Sequence, residues 1–177
     1  MVCKNDSQLD VEPNVNFKLF LEKVSHISAG ILLFNRKPSL EILLAHPGGP
    51  YWWDKEEGAW SIPKGEVEKN KDLLDAAKRE FKKQLNFIPE GDFINLESVK
   101  QTGGETVHCW AVEYQIPDDF IFAPNEFKME WPPNSGKSEV FPDIDRIEYF
   151  GPFEARKKIN PAQRKFITRI IDHCSRN

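Results

Sequence analysis

The stretch from Lys71 to Leu85 constrains the fold more than any other part of this sequence. Asn70 precedes it as a predicted helix N-cap, and Asn86 follows it as a residue that tolerates the left-handed conformation of a C-terminal cap. Because one face of the predicted helix is apolar and the other is charged, the helix must pack against a second layer of structure. The apolar residues recur at steps of three and four: Leu74, Ala77, Phe81 and Leu85.

Short apolar runs predict the sheet that supplies this second layer. Ile27–Phe34 and Leu40–Ala45, joined by an Asn-Arg-Lys-Pro turn, indicate a β-hairpin. Gly151–Lys158 is predicted to be a short helix, and Asn160, which a proline follows, is predicted to start the last one. This order of elements predicts an α/β (α+β) fold in which a mixed β-sheet is sandwiched between helices. The remaining predicted strands are Ala59–Ile62, Phe93–Gln101, Thr106–Ile116, Phe127–Trp131 and Ile144–Phe150.

The length of 177 residues fits one domain. We predict that residues 25–177 form this domain and that residues 1–24 form a loose N-terminal tail and lead-in. The tail has no apolar run typical of a signal peptide, and no stretch of the sequence approaches the roughly 20 apolar residues of a membrane span. Three widely spaced cysteines predict neither a disulfide framework nor a zinc site, which favours a reducing compartment. We therefore expect a cytoplasmic protein that does not enter a membrane.

The formal net charge of −4 narrows the choice of partner. A domain that binds a nucleic acid polymer is usually basic, so we do not expect DNA or RNA as the partner. A nucleotide or polyphosphate small molecule remains compatible with this charge, because a small site needs only a few local cations or a metal ion.

The segment from Gly65 to Phe87 resembles the Nudix box, the motif of the Nudix hydrolase family. The family pattern is a glycine, five residues, a glutamate, seven residues, Arg-Glu, an apolar residue, any residue, two glutamates, any residue, a glycine and an apolar residue. Before the box, SAGILLF and WSIPKGE are similar to the first strand and the leading loop of the family, and EWPP and FPDID further on are similar to one bacterial branch of it. The resemblance runs from about Ser25 to Cys174 and implies the Nudix fold. The residues that match the box pattern are Gly65, Arg79, Glu80, Phe81 and Phe87.

Most of the glutamates with which the family binds its metal ions are replaced in this chain. Lys71 stands at the position of the first box glutamate, Lys83 and Gln84 stand at the paired glutamates, and Asn86 stands at the closing glycine. Of the box glutamates, only Glu80 remains. Two lysines, one glutamate and one glutamine give the four positions a net charge of +1, where four glutamates would give −4. We predict that this helix face no longer binds a divalent cation tightly by itself.

Other oxygens would have to replace the lost carboxylates if a metal ion still binds. The sequence leaves three sources open: the loop and the start of the helix, the later part of the chain, and the phosphates of a substrate. In the first source the acidic residues are Glu66, Glu68 and Asp72, and in the second they are Glu139 and Asp143.

The resemblance implies roles for several residues. Arg79 also has a purely structural interpretation, as a bond between helix and loop, and the tryptophans have one as loop packing. The implied catalytic residues are Glu80 and Arg79. The implied substrate contacts are Lys64, Gly65, Trp52 and Trp53. The implied metal ligands are Glu80, Glu66 and Glu139.

Three functions are compatible with these residues, and the third, which they support least, is a scaffold that binds a partner and no small ligand. The first is a metal-dependent pyrophosphohydrolase, impaired by the lost glutamates, that uses Mg²⁺ or Mn²⁺ to cleave nucleoside diphosphates linked to another group, with dinucleoside polyphosphates as the first candidates. The second is a Nudix module that binds a nucleotide or polyphosphate without hydrolysis and needs no metal cofactor. The family resemblance favours the first function, and the missing glutamates favour the second.

Overall fold

The computed structural model describes residues 26–176, so the predictions for residues 1–24 lie outside the described part of the chain. None of the helices in this part is long and apolar enough to cross a membrane. The helices are α1 (Leu73–Leu85), α2 (Pro152–Lys158) and α3 (Arg164–Arg176), with a 3-10 turn at Pro161–Gln163 before α3. The strands are β1 (Ile27–Asn35), β2 (Glu41–Pro47), β3 (Lys64–Glu66), β4 (Ile94–Lys100), β5 (Thr106–Glu113), β6 (Glu126–Glu130), β7 (Ser138–Pro142) and β8 (Ile144–Phe150).

The central sheet is mixed, as the sequence predicts. Its strands follow the order β4-β5-β1-β2-β8, and β3 pairs separately with β1. The β1 and β5 strands run parallel, whereas β2 is antiparallel to both β1 and β8. The β6 and β7 strands form a two-stranded antiparallel hairpin outside this sheet.

The β1 and β2 strands separate soon after their turn, and the segment before α1 fills the gap between them. Only the last two residues of β1 pair with β2. Further along, Ser61 pairs with Ala45 of β2, while β3 pairs with residues 28–30 of β1. The backbones approach closely at Gly30, where a Cβ atom would lie 2.5 Å from the carbonyl oxygen of Pro63. The glycine therefore permits the insertion that positions β3.

Alternate residues of β1 face two separate apolar cores, because successive side chains of a strand point to opposite sides of the sheet. On one side β1 packs against α1, and on the other side it packs against α2 and α3. This confirms the predicted sandwich of a sheet between helices. The helical residues in the first core are Ala76, Ala77, Phe81 and Leu85. The second core contains Ala155 of α2 and Ile159, the residue directly after α2. It also contains three residues of α3: Phe166, Ile167 and Ile170.

Three local predictions were wrong. Ala59–Ile62 is not a regular strand, because it makes only single bridges and Pro63 lacks the N–H that would continue the ladder. The N-cap of α1 is Asp72, whose side chain accepts a 2.9 Å hydrogen bond from the Asp75 N–H, whereas Asn70 adopts a left-handed conformation with φ of 64°. The β7 strand was missed, since only one of its residues is buried and no apolar alternation marks it.

The close approach at Gly30 predicts the effect of adding one methyl group. We expect Gly30→Ala to lower the free energy of unfolding by about 3 kcal/mol, since overpacking of this kind costs about 1–3 kcal/mol and here a backbone oxygen must move. Urea unfolding measures the change. The matched control is Gly151→Ala, where a Cβ atom would meet nothing within 4 Å and the loss should stay below about 1 kcal/mol. Equal losses in the two variants would show that the insertion does not depend on a glycine.

Candidate functional site

The carboxylate of Glu80 lies directly against β3. Gly65 makes this possible, because a side chain at that position would occupy the space that the Glu80 side chain fills. Glu80 is only 9% exposed, although it is charged and lies on the first helix of the domain. The structure thus brings together two of the residues that the box pattern singles out.

Two cations hold Glu80. The Arg79 Nε donates to Glu80 Oε1 at 3.2 Å, and the Lys83 ammonium lies 3.7 Å from Glu80 Oε2. Arg79 also donates to the carbonyl oxygen of Glu66 at 3.0 Å and pairs with the Glu68 carboxylate at 3.1 Å. Arg79 therefore makes the structural bond between helix and loop, and its side chain is still 39% exposed.

Gln84 fastens the same helix face to β3. Its Nε2 donates a 2.8 Å hydrogen bond to the carbonyl oxygen of Lys64, and its buried Oε1 has no hydrogen-bond partner among residues 26–176. A glutamate at this position would place a carboxylate oxygen against that carbonyl, so two acceptors would face each other. The amide of Gln84 thus bonds directly to the Lys64 carbonyl oxygen. A carboxylate at this position could bind that oxygen only through a cation placed between them.

The side chain of Lys64 is also engaged. Its ammonium lies 2.6 Å from Glu105 Oε1, which accepts a second hydrogen bond from the Ser28 hydroxyl at 2.5 Å. Gln101 donates to the other oxygen of Glu105. Burial alone would raise the pKa of Glu105, but the hydrogen bonds from Lys64 and Ser28 outweigh it, and the pKa of this carboxyl is lowered. Glu105 is therefore an anion that neutralises Lys64.

These residues do not fit a divalent metal ion. Mg²⁺ and similar cations require several oxygen ligands, mostly anionic, whereas this helix face presents an ammonium and an amide N–H₂. Within residues 26–176, no three Asp, Glu, His or Cys side chains form a group that could hold a metal ion. The predicted ligands Glu66 and Glu139 are thus not gathered around Glu80: Glu66 is exposed next to His26, and Glu139 lies on the exposed part of β7.

A cavity of about 250 Å³ opens beside Gln84, between α1, β2, the start of β8 and the 3-10 turn. Trp52 is its aromatic wall, and Trp53 is not among the residues that line it. Its apolar walls come mainly from Ala45, Pro47, Ala59, Ile62 and Ile144. Its polar lining consists of Ser61, Lys64, Gln84, Gln101, Asp143, Asn160 and Gln163.

The amides of this lining have fixed orientations. Gln163 is fully buried and accepts a hydrogen bond from the Ile62 N–H at 3.1 Å. Its Nε2 donates to the Ser61 hydroxyl at 2.9 Å and to Gln101 Oε1 at 3.0 Å. Sequence reasoning missed Gln101 and Gln163 as site residues, because no motif marks a glutamine and the two lie far apart in the chain. The wall they form is neutral and preorganised.

The loop that carries Trp52 is anchored at both ends by polar contacts. The ring nitrogens of the fully buried His46 lie 2.7 Å from Asp145 Oδ1 and 2.7 Å from the carbonyl oxygen of Lys55. The carboxylate of Glu56 accepts hydrogen bonds of 2.7 Å from both Arg146 and Lys158. These contacts hold the loop, and Trp52 with it, at the cavity.

The contacts that anchor the loop lower the pKa of Glu56. Hydrogen bonds from Lys158 and Arg146 lower the pKa of this carboxyl to about 2. Trp60 donates to the same carboxylate at 3.2 Å and is fully buried, so Trp60 is a packing residue.

The neighbouring aromatic residues form a separate surface cluster. Trp53 is 61% exposed, and its ring lies 6.4 Å from the ring of Trp131 and 6.1 Å from that of Phe141. Tyr51 packs edge-on against Trp131 at 5.4 Å. The two tryptophans predicted to contact substrate thus have different environments. Trp52 lines the cavity, whereas Trp53 packs between the loop and the β6–β7 hairpin.

The chain is similar to known proteins in a family model and in its fold. A family model described as NUDIX domain matches residues 24–170. A search of curated protein sequences finds no significant match. Among solved structures, Ap4A hydrolase of C. elegans in a binary complex is similar with a TM-score of 0.60 and 19% identity, over 84% of this chain and 98% of that chain.

Two further structures show the same fold. The NUDIX domain of Shewanella oneidensis NrtR, complexed with ADP ribose, has a TM-score of 0.58 and 12% identity, over 92% of this chain and 99% of its own. The MutT protein from Methanosarcina mazei Go1 has a TM-score of 0.55 and 14% identity, over 84% of this chain and 94% of its own. At these identities the likeness concerns the fold alone.

The contact between Gln84 and Lys64 predicts that one substitution makes the protein respond to metal ions. We expect Gln84→Glu to lower the free energy of unfolding by about 1–3 kcal/mol in EDTA, since an amide donor is replaced by an acceptor facing a carbonyl oxygen. Millimolar Mg²⁺ should restore much of the loss by placing a cation between the two oxygens. Thermal unfolding with EDTA and with Mg²⁺ measures both effects.

Gln115→Glu is the matched control for this variant. Gln115 also donates to a carbonyl oxygen, that of Ile116 at 3.3 Å, and its Oε1 accepts from Asn35 at 2.8 Å, a donor that can also bond a carboxylate. Its stability should not recover with Mg²⁺. A loss in Gln84→Glu that Mg²⁺ leaves unchanged would contradict the interpretation.

The lowered pKa of Glu56 predicts how the loop anchor depends on pH. A carboxyl whose pKa is depressed on folding stabilises the protein above its unfolded pKa of 4.5, and this contribution is lost as the pH falls towards about 2. The Tm of Glu56→Gln should therefore lie below that of the wild type at neutral pH and converge with it over this range. The difference should be small and weaken with salt, because the Glu56 side chain is 44% exposed. A difference that is the same at pH 7 and pH 2 would show that Glu56 contributes only through packing.

Proposed function

The chain belongs to the Nudix family, since the family model matches residues 24–170, and we propose that it is a nucleotide-binding module that works without metal-dependent hydrolysis. The proposed functional unit is the single domain of residues 25–177, and the proposed setting is the cytoplasm. The proposal concerns the helix face of Glu80, Lys83 and Gln84 together with the cavity beside it.

The observation that carries the proposal is the pair of internal contacts at the former metal-binding positions. Lys83 reaches Glu80, and Gln84 bonds to Lys64, so the Glu80 carboxylate and the Lys64 carbonyl oxygen already have a cation or a donor. At an effective dielectric constant near 20, a unit charge about 4 Å from an ion changes its energy by roughly 4 kcal/mol. Replacing a carboxylate by an ammonium therefore penalises a divalent cation strongly.

The same positive charges fit phosphate. Lys71 and Lys83 are exposed, and Arg79 is 39% exposed beside them. Ammonium and guanidinium groups form charge-assisted hydrogen bonds with phosphate oxygens. The phosphates of a nucleotide can thus contact the protein directly, in place of the ions that would otherwise bridge them.

The relatives support a nucleotide as the ligand class. The NUDIX domain of NrtR forms a complex with ADP ribose, and the C. elegans protein is an Ap4A hydrolase. Both of these small molecules contain a nucleoside joined to at least two phosphates. For the present chain we propose this class without assigning the group on the far phosphate.

Slow hydrolysis is the second candidate function, and one observation favours it. Glu80 remains in its buried position against Gly65 beside Arg79. A carboxylate in this place could act with substrate phosphates if these supplied the missing oxygens for a metal ion. Dinucleoside polyphosphates are then the first substrates to test.

The deciding experiment combines binding with turnover. The ligands are dinucleoside polyphosphates, nucleoside triphosphates, nucleotide sugars and NADH. Binding to the wild type is measured by calorimetry in EDTA, and hydrolysis is measured with Mg²⁺ or Mn²⁺. The variant Lys71→Glu/Lys83→Glu/Gln84→Glu, which restores the glutamates of the box, is assayed beside the wild type. We expect the wild type to bind in EDTA without turnover and the triple variant to gain metal-dependent hydrolysis.

Two outcomes would contradict the proposal. Turnover by the wild type that Glu80→Gln abolishes would establish the second candidate, slow hydrolysis. A wild type that neither binds nor hydrolyses any ligand of the panel would remove nucleotides as the ligand class.

A further inference from the structure

We propose that the cavity beside Gln84 holds a guanine base and that the carboxylate of Asp143 selects it. This inference rests on the proposed function and names the part of the nucleotide that enters the cavity. The size and charge of the cavity support it. The experiment distinguishes a wrong base assignment from a lack of nucleotide binding.

The size of the cavity limits what can enter. Its volume of about 250 Å³ is below the roughly 300–1,000 Å³ of pockets that enclose a drug-sized ligand. One ring system fits such a space, and a whole nucleotide does not. The rest of the ligand must lie outside the cavity, and the exposed Lys83 directly precedes the lining residue Gln84 in the chain.

The charge of the lining excludes phosphate from the interior. Lys64 is the cation of the lining, and Glu105 already neutralises it at 2.6 Å. The carboxylate of Asp143 has neither an ion pair nor a hydrogen bond with any residue between 26 and 176. The lining therefore carries one uncompensated negative charge, which repels phosphate and attracts a group with N–H donors.

The backbone of Asp143 is held on both sides. Its N–H donates to the carbonyl oxygen of Asn125 at 2.8 Å, and its own carbonyl oxygen accepts from the Gly48 N–H at 2.9 Å. Gly48 packs so closely that a side chain there would overlap the carbonyl group of Pro142. Asn125 also donates to the carbonyl oxygen of Lys83. Asp143 thus has a fixed position relative to the helix that would bind the phosphates.

Trp52 supplies the surface on which a base can stack. It lines the cavity, it is 37% exposed, and the buried His46 anchors its loop. Stacking on an aromatic side chain tolerates every base, so it provides affinity rather than selection.

Selection falls to Asp143, because a carboxylate only accepts hydrogen bonds. Guanine presents two adjacent donors on one edge, the N1–H and the 2-amino group, which the two carboxylate oxygens can accept together. The corresponding edge of adenine pairs an amino group with the N1 lone pair, which a carboxylate repels. Hypoxanthine keeps the N1–H and lacks the amino group, so it should lie between the two.

The test measures binding of GDP, IDP and ADP by calorimetry in EDTA. The three ligands carry the same phosphates, so their differences report on the base. Paired hydrogen bonds of this kind discriminate between bases by tenfold or more, and we expect at least a tenfold preference for GDP over ADP with IDP between them. Asp143→Asn should reduce the preference to below about threefold, because the amide replaces one acceptor by a donor.

Two further variants serve as controls for the effect of Asp143→Asn. Glu148→Gln removes an exposed carboxylate from β8, the strand that follows Asp143, and should leave the preference unchanged. Asp143→Glu keeps the charge and should retain part of the preference, and thermal unfolding confirms that each variant is folded. The ratio of GDP to ADP affinity is a readout that a general loss of stability does not move.

Each remaining outcome overturns a defined statement. If the wild type binds GDP and ADP equally, the guanine assignment is wrong while nucleotide binding stands. If Asp143→Asn keeps the full preference, Asp143 does not select the base. If no diphosphate binds, the proposed function and this inference both fail.

Discussion

The insertion of residues 61–66 between β1 and β2 is the constraint on which the site depends. It requires the backbones to meet at Gly30, and it brings the carbonyl oxygen of Lys64 and the bare backbone of Gly65 under α1. Glu80 and Gln84 pack against the inserted segment, and the cavity opens beside Gln84, between α1, β2, the start of β8 and the 3-10 turn. One packing arrangement therefore creates both halves of the proposed ligand site.

The two halves carry opposite charge. The helix face combines the cations of Lys71, Lys83 and Arg79 with the carboxylates of Glu80 and Glu68, whereas the cavity has Asp143 as its uncompensated charge among residues 26–176. In a helix face lined by carboxylates, bound metal ions supply the positive charge. Here the positive charge is covalently part of the protein, so the face does not depend on an ion for its charge balance. A ligand with an anionic end and a donor-rich ring end matches this division.

The sequence predicted the regular parts of the fold well and the irregular parts less well. The spacing of Phe81 and Leu85 and the left-handed tendency of Asn86 were sufficient for α1 and its C-terminal cap, since helix periodicity is a local signal. The start of α1 at Asp72 was misplaced, because several residues there can cap a helix and only the tertiary packing selects one. In the site, the box pattern singled out Gly65 and Glu80, which the structure brings together, but no pattern pointed to Gln101 or Gln163. These glutamines are brought to one wall by the pairing of distant strands and helices.

By itself, the sequence determined the family, the layered architecture and the loss of the metal-binding glutamates, because each of these depends on residue types at fixed local spacing. Only the tertiary structure decided which contacts the residues at these positions and around the cavity make. It showed that Gln84 bonds to Lys64, that Glu105 neutralises Lys64, and that the carboxylate of Asp143 has no partner among residues 26–176 in the cavity that Trp52 lines. The physical reason is that hydrogen bonds and ion pairs act over a few ångströms in space, and residues far apart in the chain come within that range only when the sheet and helices are assembled.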